Sequence, residues 1–176
     1  MWSRTIDALA AAHDAAVQMI DTSIVPCASA RCMHYSERNT VHGPVGAAVV
    51  DTNGLPVRLA LAAGEARDNR LARRLLSRLK SRSMLLADRG YDADWIRELA
   101  VNKGAWANIA PKSNRNKPIR CSPYLYRARN RVERFFNRIK QCRRVATRYD
   151  ELAANYLAFV QLASIRSWLR ANESTS

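Results

Sequence analysis

An α/β fold built on a mixed five-stranded sheet flanked by helices is predicted by three features of the sequence. Short apolar runs of strand length recur along the chain, two of them flank an Asn-Gly turn and so run antiparallel, and the others are separated by segments of helical period. A chain of 176 residues can bury one good-sized core, so a single domain spanning 1–176 is expected.

In chain order, Trp2 to Val17 has the apolar spacing of a helix. VQMID (17–21) is a short apolar run ending in an acid, as expected of a buried strand whose C-terminal edge presents Asp21. No clean period runs from Thr22 to Pro44. VGAAVVD and LPVRLALA then form a hairpin around Thr52, Asn53 and Gly54, because Asn and Gly both tolerate positive φ. Asp68 suits a helix N-cap. Leu71, Leu75, Leu76 and Leu79 share one face of the helix that follows, which leaves Arg70, Arg73, Arg74 and Arg78 to solvent.

MLLA (84–87) is a continuous apolar strand closed by DRGYD, where Gly90 permits a sharp exit. Asp92 or Asp94 can cap a helix that ends before Gly104. AWANI makes the fifth strand and Pro111 stops it. The basic, proline-bearing PKSNRNKPIRCSP is a loop, and residues 124–144, without Pro or Gly, read as one long helix. A nearly all-apolar helix from Leu152 to Leu169 fills the C-terminal stretch 150–176.

The net charge of +14 and a pI near 10.5 favour a polyanionic partner. Between Lys112 and Arg148 lie 13 of the 29 basic residues against a lone acid, Glu133, interleaved with Tyr124, Tyr126, Phe135 and Phe136. That interleaving favours nucleic acid over a membrane surface. No run of 18 apolar residues exists, and the Ala-rich start is broken by Asp7, His13 and Asp14, so neither a membrane span nor a secretory signal is predicted. A cytoplasmic, nucleoid-associated protein is expected. Cys27, Cys32, Cys121 and Cys142 lack CxxC spacing and read as free thiols. A zinc knuckle from Cys27, Cys32, His34 and His42 is the alternative that their irregular spacing disfavours.

On a helix at 100° per residue, Leu125, Ala128, Val132, Phe135, Phe136, Ile139 and Cys142 make an apolar stripe, and Tyr126, Arg129, Glu133 and Lys140 fall together on the stripe beside it. Taken alone, Glu133 reads more simply as a surface acid in i,i+4 contacts with Arg129 and Asn137. Asp21 and Asp88, however, each end an apolar strand, so neighbouring strands of one sheet can bring both to the same edge, facing Glu133. Three carboxylates a few ångströms apart repel one another unless a cation neutralises them, and all-oxygen ligands select Mg²⁺ or Mn²⁺. Two such ions can activate a water or a 3′-hydroxyl and stabilise the leaving oxygen of a phosphodiester.

These residues resemble the DDE transposases of bacterial insertion sequences, in the branch with the Tyr-x2-Arg-x3-Glu-x6-Lys signature. The signature is complete at Tyr126, Arg129, Glu133 and Lys140, LLADRGYDAD resembles the second-aspartate motif with Asp88, and MIDTSIV the first with Asp21. RVATRYDELAANYLAFVQLASI resembles the family's C-terminal helices. The resemblance covers nearly the whole chain and implies a ribonuclease-H-like fold, a triad of Asp21, Asp88 and Glu133 holding two Mg²⁺ or Mn²⁺ ions, and DNA cleavage with strand transfer. It also implies that Tyr126, Arg129 and Lys140, with the cations Arg134 and Arg143 of the same segment, contact DNA, and that the chain forms a homo-oligomer on transposon ends and target.

The family usually carries a region ahead of the catalytic domain. Only 20 residues precede Asp21 here, so residues 1–20 are expected to be a helical remnant of a truncated N-terminus. RCMHYSERNTVHGPVG stands where the family has a longer Gly/Arg-rich segment. The alternative function is a truncated remnant that binds DNA without cutting it; a general RNA-binding protein fits the charge but leaves the acids unexplained. There is no GxxxxGK[ST], HExxH, GxSxG, or HxE with PCxxC, and His13, His34 and His42 are incidental. Capping explains Asp51, Asp68, Asp92 and Asp94, with Asp92 also placed to tune a metal site from behind. Trp95, Trp106 and Trp168 read as core or interface aromatics.

Overall fold

The strands β1 (Val17–Ile24), β2 (Val45–Val50), β3 (Pro56–Ala62), β4 (Met84–Ala87) and β5 (Trp106–Ile109) form one sheet in the order β3-β2-β1-β4-β5. The structure, a computed structural model, describes residues 2–11, 16–24, 45–62, 68–116, 119–150 and 152–174. Strand β1 is antiparallel to β2 and parallel to β4, which is parallel to β5, so the sheet is mixed as expected. Seven helices accompany it among the described residues: α1 (Trp2–Ala11), α2 (Asp68–Leu75), α3 (Asp94–Asn102), α4 (Pro123–Ala128), α5 (Asn130–Ile139), α6 (Arg143–Ala146) and α7 (Ala153–Glu173).

Pleat alternation divides the core in two. Ile20, Val49, Leu85 and Ala87 face α2 and α3 with Leu75, Leu76, Ile96 and Trp168. Met19, Val50 and Leu86 face the other way, against Val132, Phe135, Phe136 and Ile139 of α5 and Tyr156 and Val160 of α7. The sheet is therefore a central layer between helices. The hairpin turns at Gly54, whose φ of 74° only glycine or Asn adopts cheaply, and Asp51 Oδ1 accepts from the amides of Asn53 and Leu55, both at 2.8 Å.

Several boundaries differ from the sequence reading. The first helix is described over Trp2–Ala11, and Val17 is not part of it but pairs with Met84 as the first residue of β1. Strand β1 runs on to Ile24 because its antiparallel partner continues alongside it; only the ladder to β4 stops at Ile20, one residue before Asp21. Helix α2 stops at Leu75 and tightens into a 3₁₀ turn over Leu76–Arg78. Gly90 needs no special φ; its contribution is an N–H donated to Asp88 Oδ1 at 2.9 Å.

Residues 124–144 are not one helix. The turn tightens at Arg129, whose N–H donates to Tyr126 O three residues back at 3.1 Å and whose φ of −54° and ψ of −25° are 3₁₀-like. The helical run then ends at Ile139, before the single turn of α6. Helix α7 runs past Leu169 to Glu173. Cys121 and Cys142 are free, whereas Cys27, Cys32, His13, His34 and His42 lie outside the described residues.

Candidate active site

Strands β1 and β4 lie side by side in register, Ile20 opposite Ala87, so Asp21 and Asp88 follow at the same height one position beyond that rung. Alternation sends both side chains to the α5 face, since Ile20 and Ala87 belong to the opposite core. Asp88 is extended and accepts the Gly90 amide, which sets its carboxylate at the mouth of the turn. Phe135 and Phe136, packed ring to ring, dock α5 against the sheet and turn Glu133 toward the aspartates.

The Arg129 guanidinium ties two of the three acids together. Its Nη1 donates to Asp21 Oδ2 at 2.7 Å and its Nη2 to Glu133 Oε1, with the Tyr126 ring 5.4 Å from the guanidinium carbon. Asp21 and Arg129 are largely buried, with side chains 13% and 16% exposed, while Glu133 is 45% exposed. Lys140 Nζ donates to Ser23 Oγ at 2.6 Å, one pleat further along β1 on the same face. Arg134 and Arg143 are exposed to solvent.

Burial is the largest influence on Asp21 and raises its pKa. The Thr22 amide and Arg129 oppose that rise, Asp88 and Glu133 add to it, and the net is a carboxyl pushed up to about 6. Burial lowers Arg129, but Asp21 and Glu133 more than offset this and its pKa is raised. Negative charge is thus concentrated here beyond what one arginine neutralises. Among the described residues no three His, Cys, Asp or Glu side chains stand in metal-holding geometry, and the Arg129 guanidinium bridges Asp21 and Glu133.

All of Asp21, Asp88, Tyr126, Arg129, Glu133 and Lys140 therefore gather at one end of the sheet, on one face. The sequence did not identify the partners here: the Thr22 amide donates to Asp21 Oδ1 and the Ser23 hydroxyl accepts from Lys140, positions that the extension of β1 fixes. It also misplaced Asp92. That side chain caps nothing; it is fully buried and accepts from Arg97 (3.0 and 2.8 Å), from Arg115 (2.7 Å) and from the Lys112 amide (2.8 Å). Burial pushes its pKa up, and the bonds from Arg115, Lys112 and Arg97 more than offset this, holding it down to about 2. Asp92 thereby fastens the basic loop after β5 to α3. Arg97 and Arg115 stand 5 and 23 residues away, spacings that no helical or strand period marks.

Comparison with known proteins identifies the family. Residues 13–168 match the transposase DDE domain family. A Brucella ovis protein assigned as a transposase for insertion sequence element IS6501 is 39% identical over 124 residues, which are 70% of this chain and 95% of that one. In fold, the chain is similar to the piggyBac transposase, solved by cryo-EM as a synaptic complex with hairpin DNA, with a TM-score of 0.59 at 9% identity. The match covers 86% of this chain and 45% of the other, so the chain spans less than half the length of that transposase. The mixed five-stranded sheet between helices is of the ribonuclease-H-like kind. With the family matched over most of its length, the chain belongs to the DDE transposases of insertion sequences.

Proposed function

We propose that this chain cuts DNA at phosphodiester bonds and joins the resulting strand ends to target DNA, with Asp21, Asp88 and Glu133 as ligands of two divalent ions, Mg²⁺ or Mn²⁺. The observation that carries this is the in-register placement of Asp21 and Asp88 on neighbouring parallel strands, facing Glu133 across Arg129. The donor set fits such ions: every candidate ligand is a carboxylate, and Asp21, buried beside two others and pushed up to about 6, is a group whose ionisation a divalent cation would favour. When bound, the ions supply Lewis acidity and an activated oxygen nucleophile.

The chain's own residues do the rest. Packing of Val132, Phe135 and Phe136 fixes the height of Glu133. Arg129 holds Asp21 and Glu133 at one spacing, and the Tyr126 face supports its guanidinium. Lys140, steadied by Ser23, and exposed Arg134 and Arg143 bind phosphates of the DNA backbone in this reading, contacts that position a duplex without reading its sequence. The substrates are transposon ends and target, engaged by a homo-oligomer.

The test is a plasmid-nicking and strand-transfer assay with the element's own ends in Mg²⁺. The wild-type chain nicks and Asp88→Ala abolishes nicking; undiminished activity in that variant overturns the assignment. Salt-sensitive duplex binding with no cleavage by the wild type would instead support a DNA-binding remnant.

A further inference from the structure

On the opposite face of the sheet from Glu133, the first helix, the edge strand β3 and the 3₁₀ turn after α2 enclose two adjoining clefts of about 250 and 210 Å³. Arg58, Arg78 and Asp7 line both, Arg74 and Ser77 the first, and Lys80 the second. Four cations thus meet one acid. Arg58 is half-buried and held rigidly, its Nη1 donating to Leu75 O at 2.6 Å and its Nη2 to Arg78 O at 3.2 Å. Arg74, Arg78 and Lys80 are exposed.

The one acid does little to cancel that charge. Asp7 lies 3.3 Å from Arg78 in a pair whose side chains are 43% and 67% exposed, and an ion pair so open to water is weak and easily exchanged for a phosphate. The charge also continues along the chain. From Asp68 to Arg82 the sequence carries Arg70, Arg73, Arg74, Arg78, Lys80 and Arg82 against Asp68 alone. Arg82 occupies a left-handed φ of 59°, where Asn or Gly would cost less.

We propose that this groove is a second binding site for the sugar-phosphate backbone of duplex DNA, distinct from the surface at the candidate active site. Two clefts sharing Arg58 and Arg78 make an elongated track rather than a pocket for one small anion, which suits a polymer with a phosphate at every step. The sheet lies between the groove and Glu133, so a straight duplex at the carboxylates does not reach it. The groove takes either a second duplex or a distant part of one that bends around the β3 edge. The inference rests on the DNA-handling reading above, but not on its chemistry.

The test is anisotropy of a short labelled random-sequence duplex, titrated with salt in EDTA, so that failure of the cleavage chemistry leaves the outcome untouched. Each lost phosphate contact lowers the log-log salt slope by about 0.9, so Arg74→Ala/Arg78→Ala/Lys80→Ala makes it shallower by about 2 to 3 units and weakens binding most strongly in low salt. Amine acylation of the wild-type chain, which needs no substitution, shows Lys80 protected when duplex is present. An unchanged slope in a variant with wild-type circular dichroism, or Lys80 labelled equally with and without duplex, overturns the proposal.

Discussion

At Asp21 the chain stores a cost that pH and substitution can release. Its carboxyl, pushed up to about 6 from an ordinary 3.8, prefers to be protonated in the folded state. A group shifted in that direction contributes stability that is fully present below about pH 4 and is lost as pH rises through about 6. Asp21→Asn removes this dependence. In metal-free buffer its unfolding free energy is flat across that window, and at neutral pH it exceeds wild type by up to about 3 kcal/mol, at about 1.4 kcal/mol per unit. Urea titrations at a series of pH values check this; a variant with the wild-type slope would contradict it. Asp92 is the opposite case. Held down to about 2, it contributes stability above about pH 4 that disappears only as pH falls through about 2. Asp92→Ala leaves Arg97 and Arg115 facing a hole and costs about 3 kcal/mol, seen as a lower Tm at neutral pH.

Among the elements, α5 carries the site and packing carries α5. Phe135 is fully buried between the helix and the sheet, so Phe135→Ala costs about 3 to 5 kcal/mol and frees Glu133 from its height above the aspartates. Thermal unfolding measures the first effect; loss of nicking at temperatures where the variant remains folded measures the second. The apolar stripe that docks this helix and the four polar positions beside it were both legible in the sequence, because a period of 3.6 writes both at once. The break at Arg129 was not. Nothing in YLYRARNRVERFF marks it: no Pro or Gly intervenes, and the tightening accompanies a guanidinium paired with an acid on a strand 108 residues away. The end of β1 was misread for a similar reason. Strand length there is set by β2, whose pairing no local pattern announces.

Across the whole molecule, the sheet divides two tasks. One face carries the carboxylates and the other the arginines of α2, which the sequence alone presented as merely solvated. If the acids hold divalent ions, adding Mg²⁺ raises the Tm of the intact protein. The gain is about 2.7 kcal/mol when the ion is at a hundred times its Kd, and chelation with EDTA reverses it. Asp21→Asn/Asp88→Asn abolishes the gain; a gain that survives places the ions elsewhere. The succession of strands and helices was legible because turn chemistry and apolar runs encode it, whereas the order of the strands in the sheet is not written locally, and the second groove arises from residues of α1, β3 and α2 that only the fold makes neighbours. The register of β1 against β4 carries a last implication. Asp21 and Asp88 each come four residues after the first rung of a ladder with a two-residue repeat, so their agreement is a matter of parity. Inserting one residue into either strand swings one carboxylate through to the arginine side while leaving the composition almost untouched. Inserting two restores its direction, moved along by one pleat. The pair thus tolerates change in even steps only.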